Sequence, residues 1–218
     1  MEASGVAPRP RLLCFPGKAS TGSGFAQRLE RLNSVADLVC VDAPHAQGGG
    51  FSWWMLPPGE RSFTTPVFEG WDETVAYVRK AWSEKGPFDG MLGFSQGAIL
   101  IAALAALGVL RRPGGDAAPE AEALCPKFLL LAGAAVPGPF RSQLAALRES
   151  GSGGVAFRTL HVVGAKDDVN PPEGAREVAE ALGGEIWEHP GRHDIPTDDD
   201  AMAQYEVFLL GQKEAPGP

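Results

Sequence analysis

The chain has 218 residues, which is ample for one domain with a sizeable core and short for two. Its 44% hydrophobic and 21% charged residues are ordinary for a globular protein, and its formal net charge of -8 argues against a nucleic-acid partner and an anionic membrane surface. This composition leaves a neutral, apolar small molecule as an acceptable ligand.

Three cysteines, Cys14, Cys40 and Cys125, are too few and too scattered for a disulfide framework, and they show no CxxC spacing for zinc. Residues 1–11 contain no apolar core of a secretory signal, and no apolar run is long enough to cross a bilayer. We therefore expect a cytoplasmic protein with no membrane span, no metal and no cofactor, either a monomer or a homodimer.

Short apolar runs alternate with helix-like stretches, a pattern typical of a mostly parallel sheet of about six strands with helices on both faces. The runs are almost continuously apolar, as strands buried on both faces should be. The predicted strands are Arg11–Phe15, Asp37–Asp42, Phe88–Phe94, Lys127–Ala132, Thr159–Val163 and Glu185–His189. The predicted helices are Gly24–Asn33, Trp71–Lys85, Gly97–Leu110, Gln143–Glu149, Pro172–Leu182 and Asp200–Leu210.

The segment of about residues 45–70 breaks this alternation. A loop this long in a compact domain is usually functional or disordered, and its aromatic residues argue against plain disorder. We expect residues 1–218 to form a single domain in which residues 45–70 are an insertion or lid. The adjacent Trp53 and Trp54 either anchor this segment or face a ligand.

The strand that ends at Phe94 runs into Gly93-Phe94-Ser95-Gln96-Gly97 and continues as an Ala/Leu/Ile helix. A G-x-S-x-G string between a buried strand and a helix is typical of the nucleophile elbow of an α/β-hydrolase fold. The helix N-terminus behind the serine stabilises negative charge. This context predicts that Ser95 is a catalytic nucleophile rather than a serine in an ordinary tight turn.

A serine nucleophile needs a base and an orienting carboxylate, in this fold in the chain order Ser, Asp or Glu, His. Both Asp167 and Asp168 follow a predicted strand, and the G-x-x-D spacing favours Asp167, although either could cap the next helix. His193 follows the last strand and is favoured as the base over His189. Asp194, beside His193, is an alternative orienting group.

Acyl transfer also needs N–H donors for the developing oxyanion. The backbone N–H of Gln96, next to the nucleophile, is one predicted donor. The loop after the first strand supplies the second. Gly17 permits a tight turn there and the Lys18 N–H is the candidate donor, whereas Pro16 has no N–H to donate.

Together, these segments resemble the FSH family of serine hydrolases, and within it the esterases related to the ovarian-tumour-candidate protein. The resemblance rests on Leu12–Gly17, Leu38–His45, Trp53-Trp54, Gly86–Ala98, Gly164–Asp167 and His193. It implies an α/β-hydrolase fold, a triad of Ser95, Asp167 and His193, and carboxylesterase activity, often on esters with long alkyl or acyl chains. Many members have Leu-His-Gly where this chain has Phe15-Pro16-Gly17, a difference that alters the entrance to the site.

The sequence and the resemblance predict a carboxylesterase for small-molecule esters with medium or long chains. Apolar residues near the nucleophile are expected to contact the substrate, and the candidates are Phe15, His45, Trp53 and Trp54. An acyl thioesterase with the same triad is the nearest alternative. A hydrolase-fold protein that binds a ligand without turnover is the alternative from another class.

Overall fold

Six parallel strands form the central sheet in the computed structural model, which describes residues 9–111, 123–149 and 157–211. The strands of this sheet are β1 (Arg11–Phe15), β2 (Asp37–Cys40), β5 (Gly90–Phe94), β6 (Phe128–Ala132), β7 (Arg158–Gly164) and β8 (Glu185–His189). Their order across the sheet is β2-β1-β5-β6-β7-β8, and every neighbouring pair is parallel. The carboxyl ends of all six strands therefore meet at one edge of the sheet, where parallel sheets place functional groups.

Helices cover both faces of this sheet. They are α1 (Gly22–Arg28), α2 (Trp71–Lys85), α3 (Gln96–Ala106), α4 (Arg141–Glu149), α5 (Pro172–Leu182) and α6 (Asp199–Leu210), with 3-10 turns at Glu30–Ser34 and Gly138–Phe140. Alternate residues of β1 belong to two different cores, because successive side chains of a strand point to opposite faces. Leu13 packs with α3 and α5, whereas Leu12 packs with α1 and α6. This arrangement confirms the predicted α/β class and the parallel sheet.

Element ends differ from the prediction at several places. The first helix ends at Arg28 and gives way to a 3-10 turn, and it begins where the Thr21 hydroxyl accepts from the Gly24 N–H at 3.0 Å. The third helix ends at Ala106, two residues before Gly108, whose φ of +69° is a backbone conformation that glycine tolerates.

The insertion contains a short antiparallel hairpin that the sequence did not predict, β3 (His45–Gln47) and β4 (Gly50–Ser52). Further along, Met55 and Glu69 pair in an isolated antiparallel bridge, which brings the two ends of the remaining loop together. The insertion is thus ordered by backbone pairing as well as by its aromatic residues.

Among the helices within residues 9–111, 123–149 and 157–211, none has the length and apolar content needed to span a membrane. Residues 1–8, part of the segment expected to lack a secretory signal, lie outside the described residues.

Candidate active site

Ser95 lies in a tight turn between the carboxyl end of β5 and the start of α3. Its φ of 54° is positive, which is uncommon for a residue with a side chain. Such a backbone persists only where the surrounding structure holds it, and the Ser95 N–H donates to the Ala132 carbonyl of β6 at 2.9 Å. The turn leaves the serine half-buried at the carboxyl edge of the sheet.

Gly93 and Gly97 flank the serine because side chains at these positions would collide with backbone. A Cβ on Gly93 would lie 2.7 Å from the Ala98 nitrogen, and a Cβ on Gly97 would lie 2.7 Å from the carbonyl carbon of Phe15. Both distances are shorter than van der Waals contact. The elbow therefore requires both glycines of the G-x-S-x-G string.

His193, in the loop after β8, joins Ser95 to Asp167. Its Nε2 lies 2.8 Å from Ser95 Oγ, and its Nδ1 lies 2.6 Å from Asp167 Oδ2. The aspartate side chain is 2% exposed and the histidine side chain 15%. A carboxylate on Nδ1 keeps the proton on that nitrogen, so that Nε2 is free to accept the serine proton. The structure thus brings together the three residues predicted to form a triad.

The second carboxylate oxygen of Asp167 is also occupied. Oδ1 accepts from the backbone N–H groups of Val169 at 2.9 Å and Asn170 at 2.8 Å. Asn170 in turn donates through Nδ2 to the Gly133 carbonyl at 2.7 Å, and a Cβ on Gly133 would lie 3.0 Å from His193 Cε1. Asn170 and Gly133 therefore support the site, and no motif singled them out. In the sequence, only the Asn-Pro pair before α5 indicated that Asn170 lies in an ordered turn.

The other acidic candidates point to arginines. Asp168 pairs with Arg192 at the surface, and Asp194 pairs with Arg28. The Asp194 carboxylate also accepts from the N–H of Ile195 at 2.7 Å, which holds it close to its own backbone. The geometry therefore favours Asp167 over Asp168 and Asp194 as the partner of His193.

Two other histidines make structural contacts. The Nδ1 of His189 accepts from the Gly191 N–H at 3.3 Å, and burial lowers the pKa of this ring. The Nε2 of His45 lies 3.0 Å from the Gly70 carbonyl oxygen, which ties the start of the insertion to the residue before α2. The structure thus places His45 at the start of the insertion, where its side chain has a structural role.

His161 is buried in β7, where its Nε2 donates to the Gly183 carbonyl at 3.0 Å, and burial lowers its pKa to about 4. The unfolded chain binds this proton below about pH 6.5, so the free energy of unfolding should fall by about 3 kcal/mol between pH 6.5 and pH 4. Urea titrations across this range measure the loss. The free energy of unfolding of His161→Phe should fall less over the same range. An equal fall in the two proteins would contradict His161 as the source of the pH dependence.

The predicted oxyanion donors belong to two segments that adjoin Ser95. Gln96 begins α3 directly after the serine, and the loop after β1 passes so close that a Cβ on Gly17 would lie 3.3 Å from the Ser95 Cβ. Lys18 follows Gly17 in that loop. Within the part of the chain that the structure describes, neither the Lys18 nor the Gln96 backbone N–H donates to another residue.

The aromatic residues expected to contact substrate do not face an open site. Phe15, Trp53 and Trp54 are all 0% exposed. Trp53 packs edge-on against Phe15 with ring centroids 5.1 Å apart, and Trp54 stacks on Phe68 at 3.9 Å. This corrects the prediction that Phe15, Trp53 and Trp54 contact the substrate, because the domain core removes their large apolar surfaces from water. The alternative interpretation, that the aromatics anchor the insertion, describes their positions.

Comparison with known proteins gives the family. The serine hydrolase (FSH1) family matches residues 6–205. The chain belongs to this family. It is therefore an enzyme of the serine hydrolase class, which confirms the resemblance found in the sequence.

Two esterases are similar to this serine hydrolase over almost their whole length. Esterase OVCA2 of Homo sapiens is 30% identical in an alignment of 233 positions, gaps included, that covers 94% of the chain and 97% of that protein. Esterase OVCA2 of Danio rerio is 30% identical in an alignment of 230 positions that covers 91% of the chain and 96% of that protein.

Solved structures show the same fold. Esterase PE8 superposes with a TM-score of 0.63 at 21% identity, covering 94% of the chain and 93% of its own. An acyl-protein thioesterase 2 of Zea mays superposes with a TM-score of 0.62 at 20% identity, covering 97% and 96%. The α/β-hydrolase fold of the serine hydrolase is thereby confirmed.

Proposed function

We propose that this serine hydrolase is a carboxylesterase that cleaves carboxylic esters through an acyl-serine intermediate. The observation that carries the proposal is the chain of contacts from Asp167 through His193 to Ser95, with distances of 2.6 and 2.8 Å. A serine hydroxyl is a weak nucleophile at neutral pH, and a base oriented by a third group activates it. The names of the human and zebrafish relatives, both esterases, support the same reaction.

In the acylation step, His193 Nε2 takes the proton of Ser95 Oγ while that oxygen attacks the carbonyl carbon of the ester. A C–O bond to the serine forms, and the carbonyl π electrons move to the former carbonyl oxygen. The Asp167 carboxylate stabilises the imidazolium through Nδ1. When the intermediate collapses, the bond to the alcohol oxygen breaks and His193 returns its proton to that oxygen.

In the deacylation step, water attacks the acyl-serine and His193 takes one of its protons. The bond to Ser95 Oγ breaks, the carboxylic acid leaves, and the proton returns to the serine oxygen. The base therefore alternates between the proton acceptor and donor roles, and the enzyme ends each cycle unchanged.

The backbone N–H groups of Gln96 and Lys18 are the proposed donors to the oxyanion of both tetrahedral intermediates. Each such donor contributes about 3–4 kcal/mol to stabilisation of the transition state. Helix α3 starts at Gln96, and the positive end of its dipole also stabilises the negative charge of the oxyanion.

We also propose a medium or long acyl or alkyl chain on the substrate. Because Trp53 and Trp54 are buried, the support comes from apolar side chains that are exposed. Val169, two residues after Asp167, is 37% exposed. Val67, in the insertion, is 44% exposed. Covering a chain with such side chains favours each added CH₂ by about 0.8 kcal/mol, or about fourfold in kcat/KM.

A fluorophosphonate probe tests the nucleophile. The wild-type enzyme should gain one covalent adduct on Ser95, because the activated oxygen attacks the phosphorus, and Ser95→Ala should gain none. Ser83→Ala is the matched control, since it removes an exposed hydroxyl on α2 and should be labelled like the wild type. Intact-protein mass spectrometry measures the adduct. Labelling that does not depend on Ser95 would contradict the proposal.

The same wild-type and Ser95→Ala pair, assayed on p-nitrophenyl esters from acetyl to palmitoyl and on matching thioesters, tests the substrate. We expect Ser95-dependent hydrolysis with kcat/KM rising with chain length. A flat series would contradict the chain-length proposal, faster thioester cleavage would assign a thioesterase, and no turnover would assign a binding protein.

A further inference from the structure

The side chain of Gln96 is committed to the insertion. It is 2% exposed, its Oε1 accepts from the Trp53 backbone N–H at 2.9 Å, and its Nε2 donates to the Trp54 carbonyl at 3.0 Å. An amide held at both ends fixes the orientation of its residue. Because the Gln96 backbone N–H is one proposed oxyanion donor, these two bonds connect the insertion to the oxyanion hole.

The Trp53 indole reaches the other side of the hole. Its Nε1 donates to the Pro16 carbonyl at 2.9 Å in a buried hydrogen bond. Pro16 immediately precedes Gly17, and Lys18 carries the second proposed donor. The Trp53 peptide is itself held, since its carbonyl accepts from the Thr74 hydroxyl on α2. Trp53 therefore contacts both of the segments that present oxyanion donors.

The hairpin of the insertion holds the residues directly after Lys18. The Ala19 N–H donates to Ser52 Oγ at 3.0 Å, and Ser20 and Phe51 exchange two backbone hydrogen bonds of 3.1 and 2.9 Å. Ala19 has a φ of 55°, a conformation that a non-glycine residue keeps only when its neighbours hold it. These bonds fix the backbone immediately beyond the Lys18 N–H.

We propose that Trp53 is a positioning residue that sets the geometry of the oxyanion hole, through its backbone contact to Gln96 and its indole contact to Pro16. This inference rests on the proposed function, and it gives the insertion a role in the reaction although its tryptophans are out of reach of the substrate. A misplacement of about 1 Å in such a site costs about a hundredfold in rate.

Trp53→Phe tests the inference, because phenylalanine keeps an aromatic ring and removes the indole donor to Pro16. Trp54→Phe is the matched control. Trp54 is the next residue and is equally buried, and its indole nitrogen has no hydrogen-bond partner among the described residues. The substitution leaves its backbone carbonyl in place. We expect Trp53→Phe to lower kcat about tenfold to a hundredfold with KM almost unchanged. Trp54→Phe should stay within about threefold of the wild type in both constants.

A trifluoromethyl ketone inhibitor separates positioning from a general packing defect, because its tetrahedral adduct with serine needs the oxyanion donors. Its inhibition constant should rise in Trp53→Phe by the same factor by which kcat/KM falls. The product alcohol, which offers the oxyanion donors neither a carbonyl nor a carboxylate oxygen, should bind both variants like the wild type. Equal kcat values for the two tryptophan variants, or an unchanged inhibition constant in Trp53→Phe, would overturn the inference.

Gln96→Met keeps the inference testable if Trp53→Phe does not fold. It keeps the Gln96 backbone N–H and removes the side-chain acceptor of the Trp53 N–H, so we expect kcat to fall about threefold to tenfold with KM unchanged. An unchanged kcat would overturn the inference. Failure of the proposed function is distinguishable, since the wild-type enzyme would then show no Ser95-dependent adduct with the fluorophosphonate.

Discussion

Asp167→Asn is expected to lower kcat about 10⁴-fold, with KM changed little. Asp167 Oδ1 accepts two backbone N–H groups, from Val169 and Asn170, so an asparagine must keep its oxygen at that position. Its NH₂ group then faces His193 Nδ1, which becomes an acceptor, and the ring proton moves to Nε2. A protonated, neutral Nε2 has no lone pair to take the proton of Ser95. Steady-state kinetics on the best p-nitrophenyl ester measures the loss.

Asp168→Asn is the matched control for this variant. It makes the same chemical change one residue away, at a side chain that is 60% exposed and pairs with Arg192 at the surface. Exposed ion pairs contribute about 0–1 kcal/mol to stability, so activity should remain within about twofold of the wild type. A larger loss in Asp168→Asn than in Asp167→Asn would transfer the orienting role to Asp168.

Gly97→Ala is expected to destabilise the fold by more than about 4 kcal/mol, or to prevent folding altogether. The added Cβ would overlap the Phe15 carbonyl oxygen and lie 2.7 Å from its carbon and 2.8 Å from its Cβ. Phe15 belongs to β1, which pairs with strands on both sides, and Gly97 belongs to the first turn of α3, so neither backbone is able to move away. Chemical denaturation followed by circular dichroism measures the effect.

Gly174→Ala controls for the change of glycine to alanine in a helix. Gly174 lies in the first turn of α5, and a Cβ there would find its nearest neighbour, the Ala135 Cα, at an ordinary 3.5 Å. Helix propensity then favours alanine, so stability should rise by up to about 1 kcal/mol. Equal stability of the Gly97→Ala variant and the wild type would contradict the close packing of Gly97 against Phe15.

Strands and the elbow are predictable because their signals are local. Leu129, Leu130 and Leu131 in one continuous run indicate a strand buried on both faces, and β6 is buried along its whole length. Glycines two residues to either side of a serine, between a strand and a helix, indicate the elbow. The β3–β4 hairpin was missed because its strands have only three residues each, too few for a periodic pattern.

The sequence by itself determined the α/β class, the order of the strands along the chain, the elbow at Ser95, and the positions where an acid and a base should follow. These depend on residues near one another in the chain. Only the tertiary structure decided that Asp167, and not Asp168, meets His193 across 26 residues, and that Trp53 is buried against Gln96 across 43. Neighbouring side chains differ in direction, and the direction is set by contacts between distant segments, which local patterns do not contain.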